Sequence, residues 1–413
     1  MNDPGSRKAA LLKAEVMEAL ASSGELKDED VRRVIEQKLE IMPEYRLMSL
    51  TDRVSLKREL FDGIRRLDIL QELLDAEDIT EIMVNGTGDV FYEKDGVISR
   101  WKRRFESEET LVNVIRRIAG SRDRAVNTSS PIVDVVLEDG SRVNAVLKPV
   151  ALNGPAVTIR RFNRKPVTME MLVEKGSLSS DAAELLKELV RSGYNIFISG
   201  STGSGKTTFL NALSRFIDPD ERVVTIEDPA ELRLQNIRNL VRLEARSIYG
   251  QSEKDITIRD LIRTSLRMRP DRIIVGEVRG DETIDMLQAM NTGHEGSMST
   301  GHGNSPKDMI SRLETMVLMG TDIPLQAVRK QIASAIDIFV HLGRLRDRSR
   351  KVLSIEETDG IKDGEIQLNT LFRFEEDRKG HGNEAFVCGR LRAVSSLKNR
   401  EKLERHGHIQ ESV

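Results

Sequence analysis

An α/β fold built on a mostly parallel sheet is predicted for the second half of this 413-residue sequence, and three observations predict it. Apolar runs of strand length ("YNIFISG", "RVVTIED", "RIIVGEV") alternate with helix-periodic runs ("AAELLKELVRSG", "KTTFLNALSRF", "IRDLIRTSLRM"), the texture of successive βα units. A glycine-rich stretch, "GSTGSGKT", falls between one such strand and the helix after it. Acidic residues gather at the ends of two further strands, where open parallel sheets collect their ligand groups.

The segments follow in order. Residues 1–75 read as a helical lead-in, because "LLKAEVMEAL", "VRRVIEQKLEIM" and "LKRELFDGIRRLDILQELL" repeat apolar residues at helical spacing. Residues 76–165 read as a smaller α+β domain, with the runs "TEIMVNG", "DVFYEKDGVIS", "PIVDVVLEDGSRVNAVL" and "AVTIRRF" ending near residue 162. Asn-Gly and Asp-Gly turns punctuate them, and one helix is expected around residues 107–119. Residues 166–180, irregular and holding Pro166 and Gly176, read as a linker. The α/β domain then spans 181–345, and 346–413 reads as a charged β-hairpin with a helical or frayed tail.

Charged residues make up 32% of the chain and aromatics 4%, at a formal net charge of −3. A dedicated nucleic-acid binder would carry a basic excess, so no specific nucleic acid is expected. No apolar run approaches the roughly 20 residues that span a bilayer, and the first residues lack the apolar core of a signal peptide. A cytoplasmic protein is expected. The single Cys388 allows no intramolecular disulfide, and no CxxC pair offers a zinc site; the thiol reads as packing. "SRWKRRF", with the only tryptophan, Trp101, reads as a solvated β-edge rather than a lipid contact.

Residues 200–207, "GSTGSGKT", fit G-x-x-x-x-G-K-[ST] at every position and lie between strand and helix as that motif requires. Its chemistry is phosphate binding. Gly200, Ser201, Thr202, Gly203, Ser204 and Gly205 would wrap backbone N–H groups around the phosphates, where the helix N-terminus adds partial positive charge. Lys206 would reach the β- and γ-phosphates, Thr207 would ligate Mg²⁺ and Thr208 would complete the binding segment. ATP and Mg²⁺ are the ligands this implies.

"RVVTIEDPAEL" closes a strand with Glu227, Asp228 and Glu231, and "RIIVGEV" closes another with Glu277. Glu277 holds the position of the acid that couples to Mg²⁺ and the attacking water. The aspartate usual just before it is replaced by Gly276, so a carboxylate from "EDPAE" is expected to assist through a water. The expected metal set is Thr207, Glu227, Asp228 and Glu277, with Glu231 joining Glu277 in catalysis. A helix N-cap or a solvated loop charge is the plainer role for each acid. "TGHEGSMSTGHGNS", residues 292–305, contributes His294 and His302, two of six histidines. They suit half of a metal site, a sensor of bound phosphate, or buried structural imidazoles.

Together these four segments resemble the secretion ATPase superfamily that drives type II and type IV secretion and pilus assembly. "LRMRPDRIIVGEVRGDETIDMLQAMNTGHEGSMSTGHGNSPKDMISRLETMV" is similar almost throughout to its CpaF branch, which assembles tight-adherence (Flp) pili, and the likeness covers roughly residues 70–375. Gly303 stands where that branch leads one to expect alanine. The resemblance implies a RecA-like P-loop NTPase domain that hydrolyses ATP, with His294 and His302 relaying whether a γ-phosphate is present. It implies that Arg142 and Arg160 are brought to the nucleotide from the N-terminal domain, with Arg161 a weaker candidate because strand neighbours point to opposite faces. It also implies a homo-hexamer, an inner-membrane platform protein as partner, and peripheral association at the inner face of the membrane. A conjugation-type ATPase handling DNA and a low-turnover nucleotide-binding scaffold are the competing readings.

Overall fold

Apolar stripes fold the first residues into α1 (Pro4–Leu20), α2 (Asp28–Ile41), α3 (Pro43–Leu47), α4 (Leu50–Arg65) and α5 (Leu70–Asp75) in a computed structural model. The structure describes residues 4–20, 27–94, 96–122, 124–161, 166–246, 255–377 and 387–405. It divides into two compact units, Met1–Arg164 and Lys165–Val413. The end of the α+β domain, read near residue 162, lies outside the described residues.

In the first unit, α2 carries three acids in its first turn and buries Val31, Ile35 and Leu39, a stripe at i, i+4, i+8 that faces one side. With Val16 and Leu60 they close a small helical core. The sheet that follows is β1 (Ile79–Asn85), β2 (Asp89–Lys94), β3 (Val97–Arg100), β4 (Ile132–Val136), β5 (Arg142–Val146) and β6 (Ala156–Arg160), interrupted by α6 (Glu108–Gly120). Its order is β3-β2-β1-β6-β5-β4. Strand period puts Val84, Val143 and Ile159 on the buried face with Ile115 of α6, and leaves Asp134, Asn144, Thr158 and Arg160 exposed on the other. Trp101 is half-buried, edge-on to Tyr92 at 5.7 Å, and Arg103 of the same basic stretch pairs with Glu59 and Glu72.

The second unit runs α7 (Met169–Glu174), α8 (Ser180–Arg191), β7 (Ile196–Gly200), α9 (Lys206–Ser214), β8 (Arg222–Glu227), β9 (Asn239–Glu244), α10 (Ile258–Ser265), β10 (Arg272–Val275), α11 (Thr283–Asn291), β11 (Met298–Gly301), α12 (Pro306–Gly320), α13 (Leu325–Ala335), β12 (Ile338–Arg344), β13 (Arg350–Lys362), β14 (Glu365–Glu376), β15 (Gly389–Ala393) and α14 (Glu401–Arg405). These strands form one sheet, ordered β15-β14-β13-β12-β7-β11-β10-β8-β9. The six from β12 to β9 are parallel, and β13, β14 and β15 add antiparallel. This is the α/β fold the sequence predicts. Every residue of β7 is buried: Ile196 and Ile198 pack with Leu186 and Leu210 of α8 and α9, and Phe197 packs on the opposite face with Met309 and Leu313 of α12.

Three local readings change. The expected linker contains α7, whose N-terminus Thr168 caps by accepting from Met171 N at 3.3 Å. The charged hairpin is not appended to the α/β domain but continues its sheet, because β13 pairs along the whole of β12. Cys388 is exposed rather than packed. The tail expected to be helical or frayed gives α14, and residues 406–413 lie outside the described residues. Among the described residues, no helix is long and apolar enough to cross a membrane.

Candidate nucleotide-binding site

β7 delivers Gly200 to its carboxyl end, against β12. A Cβ there would stand 2.4 Å from the carbonyl oxygen of Leu342, so only glycine lets the chain turn off the strand at that point. Gly205 then caps α9 at φ 96°, a left-handed conformation that costs a residue with a Cβ more than it costs glycine. Thr207 is half-buried and Thr208 exposed at the start of that helix, Ser201 and Thr202 are exposed, and Ser204 is buried.

Lys206, the first residue of α9, is 8% exposed. Its ammonium donates to the carbonyls of Gly200 at 3.1 Å and Ser201 at 3.2 Å, and to His302 Nδ1 at 3.2 Å. An ammonium has only donors, so Nδ1 is the acceptor and the proton of a neutral imidazole sits on Nε2. That nitrogen lies 2.9 Å from Glu277 Oε1, off the line of a hydrogen bond but at ion-pair range. Burial, then the charge of Lys206, depress the His302 pKa below its ordinary value, which keeps the ring neutral. Glu277 Oε2 accepts from Arg279 at 3.1 Å. Because β7, β11 and β10 are consecutive in the sheet, Lys206, His302 and Glu277 form a row across their carboxyl ends.

Glu227 explains the glycine before Glu277. It ends β8, the parallel neighbour of β10 in which Val275 pairs with Ile226. A Cβ on Gly276 would lie 3.0 Å from Glu227 Cγ. The side chain missing from β10 is thus replaced by one reaching over from β8. Glu227 is 3% exposed. Its Oε1 accepts from the backbone of Glu231 at 2.8 Å and Leu232 at 2.7 Å, while Oε2 is buried without a hydrogen-bond partner among the described residues. Burial raises its pKa to about 7, against those two backbone bonds. A carboxyl whose folded pKa lies above its unfolded value stabilises fully below the unfolded pKa, and that contribution is lost as pH rises through about 7. Glu227→Gln should therefore raise Tm at pH 8, by an amount worth on the order of 2–3 kcal/mol at most, with little gain at pH 5. Thermal unfolding at the two pH values checks this, and an equal Tm shift at both would contradict it.

The family model described as "Type II/IV secretion system protein" matches residues 65–408. The chain belongs to this family. A putative conjugal transfer protein of Mycobacterium tuberculosis is 35% identical over 334 residues, covering 79% of this chain and 94% of that one. The type IV secretion system protein PtlH of Bordetella pertussis is 34% identical over 331 residues, covering 71% and 95%. The crystal structure of the pilus retraction motor PilT with bound ADP superposes with a TM-score of 0.51 at 20% identity, over 83% of this chain and 87% of that one. It shares the fold.

In this secretion-family chain the site acids are unequally placed. Beyond Glu227 and Glu277, Asp228 is exposed and Glu231 half-buried, both on the connection from β8 to β9. Mg²⁺ takes one or two carboxylates and completes its octahedron with waters and phosphates. The unpartnered Oε2 of Glu227 and the carboxylate of Glu277 suit that ion, and among the described residues no group of three or more His, Cys, Asp or Glu is arranged to hold a metal.

The two histidines part company. His302 follows the carboxyl end of β11 and meets Lys206, whereas His294 precedes the amino end of that strand, where Met298 pairs with Ile196. There the His294 ring meets the Ala289 carbonyl through Nδ1 at 3.0 Å. The four residues of β11 separate the two rings, so His294 does not share the Lys206 end of the strand with His302. Arg142 and Arg160 are register partners on β5 and β6. Arg142 donates to both carboxylate oxygens of Asp134, at 3.1 and 2.9 Å, and Arg160 is exposed. Arg161 instead donates to the backbone carbonyls of Ala76 and Ile79, a structural role. Sequence reasoning missed Arg350, which donates from Nε to the Gly203 carbonyl at 2.9 Å. It lies 147 residues along the chain and carries no local signal.

Proposed function

We propose that this chain hydrolyses ATP at the row formed by Lys206, His302 and Glu277, as a secretion motor at the inner face of a membrane. The row is the observation that carries the reading: a phosphate-binding cation, a neutral imidazole and a carboxylate are placed in sequence at the mouth of the loop. Gly200 to Gly205 cradle the phosphates, Lys206 binds the γ-phosphate, and Glu277 holds and orients the attacking water. An arriving γ-phosphate competes with His302 Nδ1 for the Lys206 ammonium. His302 is thereby the group that registers occupancy. Thr207, Glu277 and Glu227, with Asp228 beside them, would hold Mg²⁺, which when bound neutralises charge on the phosphates. His294 acts at most through the backbone that carries His302.

Arg142 and Arg160 complete the site in this reading, six chains form a ring, and a platform protein in the inner membrane receives the motion. Flp-type pilus assembly is the specific task we assign, on the likeness of residues 266–317 to that branch. Conjugation is the second reading, supported by the conjugal transfer names of the curated relatives. Stimulation of turnover by single-stranded DNA would favour conjugation, and co-purification with a multi-span inner-membrane protein, without DNA dependence, would favour the pilus.

Arg142→Ala should lower kcat by at least about tenfold, the low side of what such arginines supply, with ADP affinity within a few-fold. A guanidinium stabilises charge that develops on the transferring phosphoryl group more than charge present in the ground state. Arg142→Lys should rescue poorly, since an ammonium lacks the planar fork. Turnover regained on mixing Arg142→Ala with Lys206→Ala would show that Arg142 serves a neighbouring copy. Unchanged kcat would remove Arg142 from the site.

A further inference from the structure

The stretch "IFVHLG" of β12 places His341 in an apolar strand, 6% exposed. On the sheet face covered by α12, β7 and β12 match residue for residue: Phe197 is paired with Phe339, ring centroids 5.9 Å apart, and one step nearer the phosphate loop Ser199 is paired with His341. Ser199 Oγ lies 2.9 Å from His341 Nδ1. The backbone of Asn304, two residues past His302, also lies beside the ring and favours its protonated form. Burial holds the imidazole below its ordinary pKa; in the neutral ring a proton on Nε2 faces the Asn304 side and leaves Nδ1 to accept from Ser199.

A leucine would suit the apolar surroundings of this position without any polar group to satisfy, whereas a buried imidazole costs free energy unless both nitrogens find partners. Both partners here belong to segments of the candidate site. Ser199 immediately precedes Gly200, where the phosphate loop begins, and Asn304 lies in the chain that carries His302. From this geometry we infer that His341 is a positioning residue, which ties the His302 segment to the root of the phosphate loop and so sets the spacing at which His302 meets Lys206. It touches neither nucleotide nor reacting atoms. The inference deepens the proposed hydrolysis and rests on it for the effect on turnover, but the tie itself is a property of the nucleotide-free chain.

The test uses the full-length protein with His341→Leu, His341→Gln and Ser199→Ala. Glutamine keeps one acceptor and one donor at comparable reach. His341→Leu should speed amide exchange about tenfold or more over residues 302–304 and 200–204 without ligand, while β8 and β10 exchange as in wild type. Ser199→Ala should give the same pattern more weakly, and His341→Gln should restore most of the protection. With ATP, kcat should fall about tenfold in His341→Leu with ADP affinity within a few-fold, and recover in His341→Gln. Exchange that is unchanged, or accelerated equally across the sheet, overturns the inference, as does His341→Gln behaving like His341→Leu. If His341→Leu does not fold, Ser199→Ala and His341→Gln decide it. A wild type that releases no phosphate defeats the hydrolysis reading alone, and the exchange data still judge the tie.

Discussion

Lys206→Ala is expected to lower kcat by at least about a hundredfold, the cost typical of removing a preorganised donor from developing charge. Nucleotide affinity should also fall, by roughly ten- to a hundredfold, the equivalent of a charged hydrogen bond of about 1.5–3 kcal/mol. Both effects follow from one placement: the ammonium is buried at the first residue of α9 and held toward the loop by the carbonyls of Gly200 and Ser201. Some loss of stability is also expected, because the Gly200 carbonyl is buried and loses a donor. Isothermal titration with ADP and a phosphate-release assay separate the two quantities. Wild-type affinity in Lys206→Ala would place the nucleotide elsewhere.

Glu277→Gln should bind ATP with affinity within a few-fold of wild type and turn over at least about a hundredfold more slowly, the range assigned to a positioned base. The amide has the size of the carboxylate and can still face His302 Nε2 and Arg279. What it loses is the ability to draw a proton from water. Nucleotide should therefore remain bound unhydrolysed in this variant, as quench-flow of labelled ATP would show. Turnover at the wild-type rate would transfer the role to another acid, with Glu231 first among the alternatives.

The α/β architecture was legible because apolar runs of strand length alternate with helical periodicity, a pattern that needs no tertiary information. The phosphate loop was legible because the turn's own backbone demands its glycines. What stayed hidden depends on register between distant strands. The glycine at 276 looks like a lost aspartate in the sequence, which points to a carboxylate of "EDPAE" without saying which; the pairing of β8 with β10 brings Glu227 beside that position. The histidine motif offers two imidazoles without saying that a strand runs between them. Arg350 and His341 reach the loop through β12 and β13, and the sequence gives no hint that this charged hairpin extends the central sheet. The short helix α7 was masked by Pro166 and Gly176, which flank it rather than break it.

Steady-state phosphate release by the purified wild-type chain with ATP and Mg²⁺, with Lys206→Ala as the blank, tests the central claim most directly. The account requires turnover that saturates with ATP, depends on Mg²⁺ and disappears in the blank. Phosphate release indistinguishable between wild type and Lys206→Ala would contradict it.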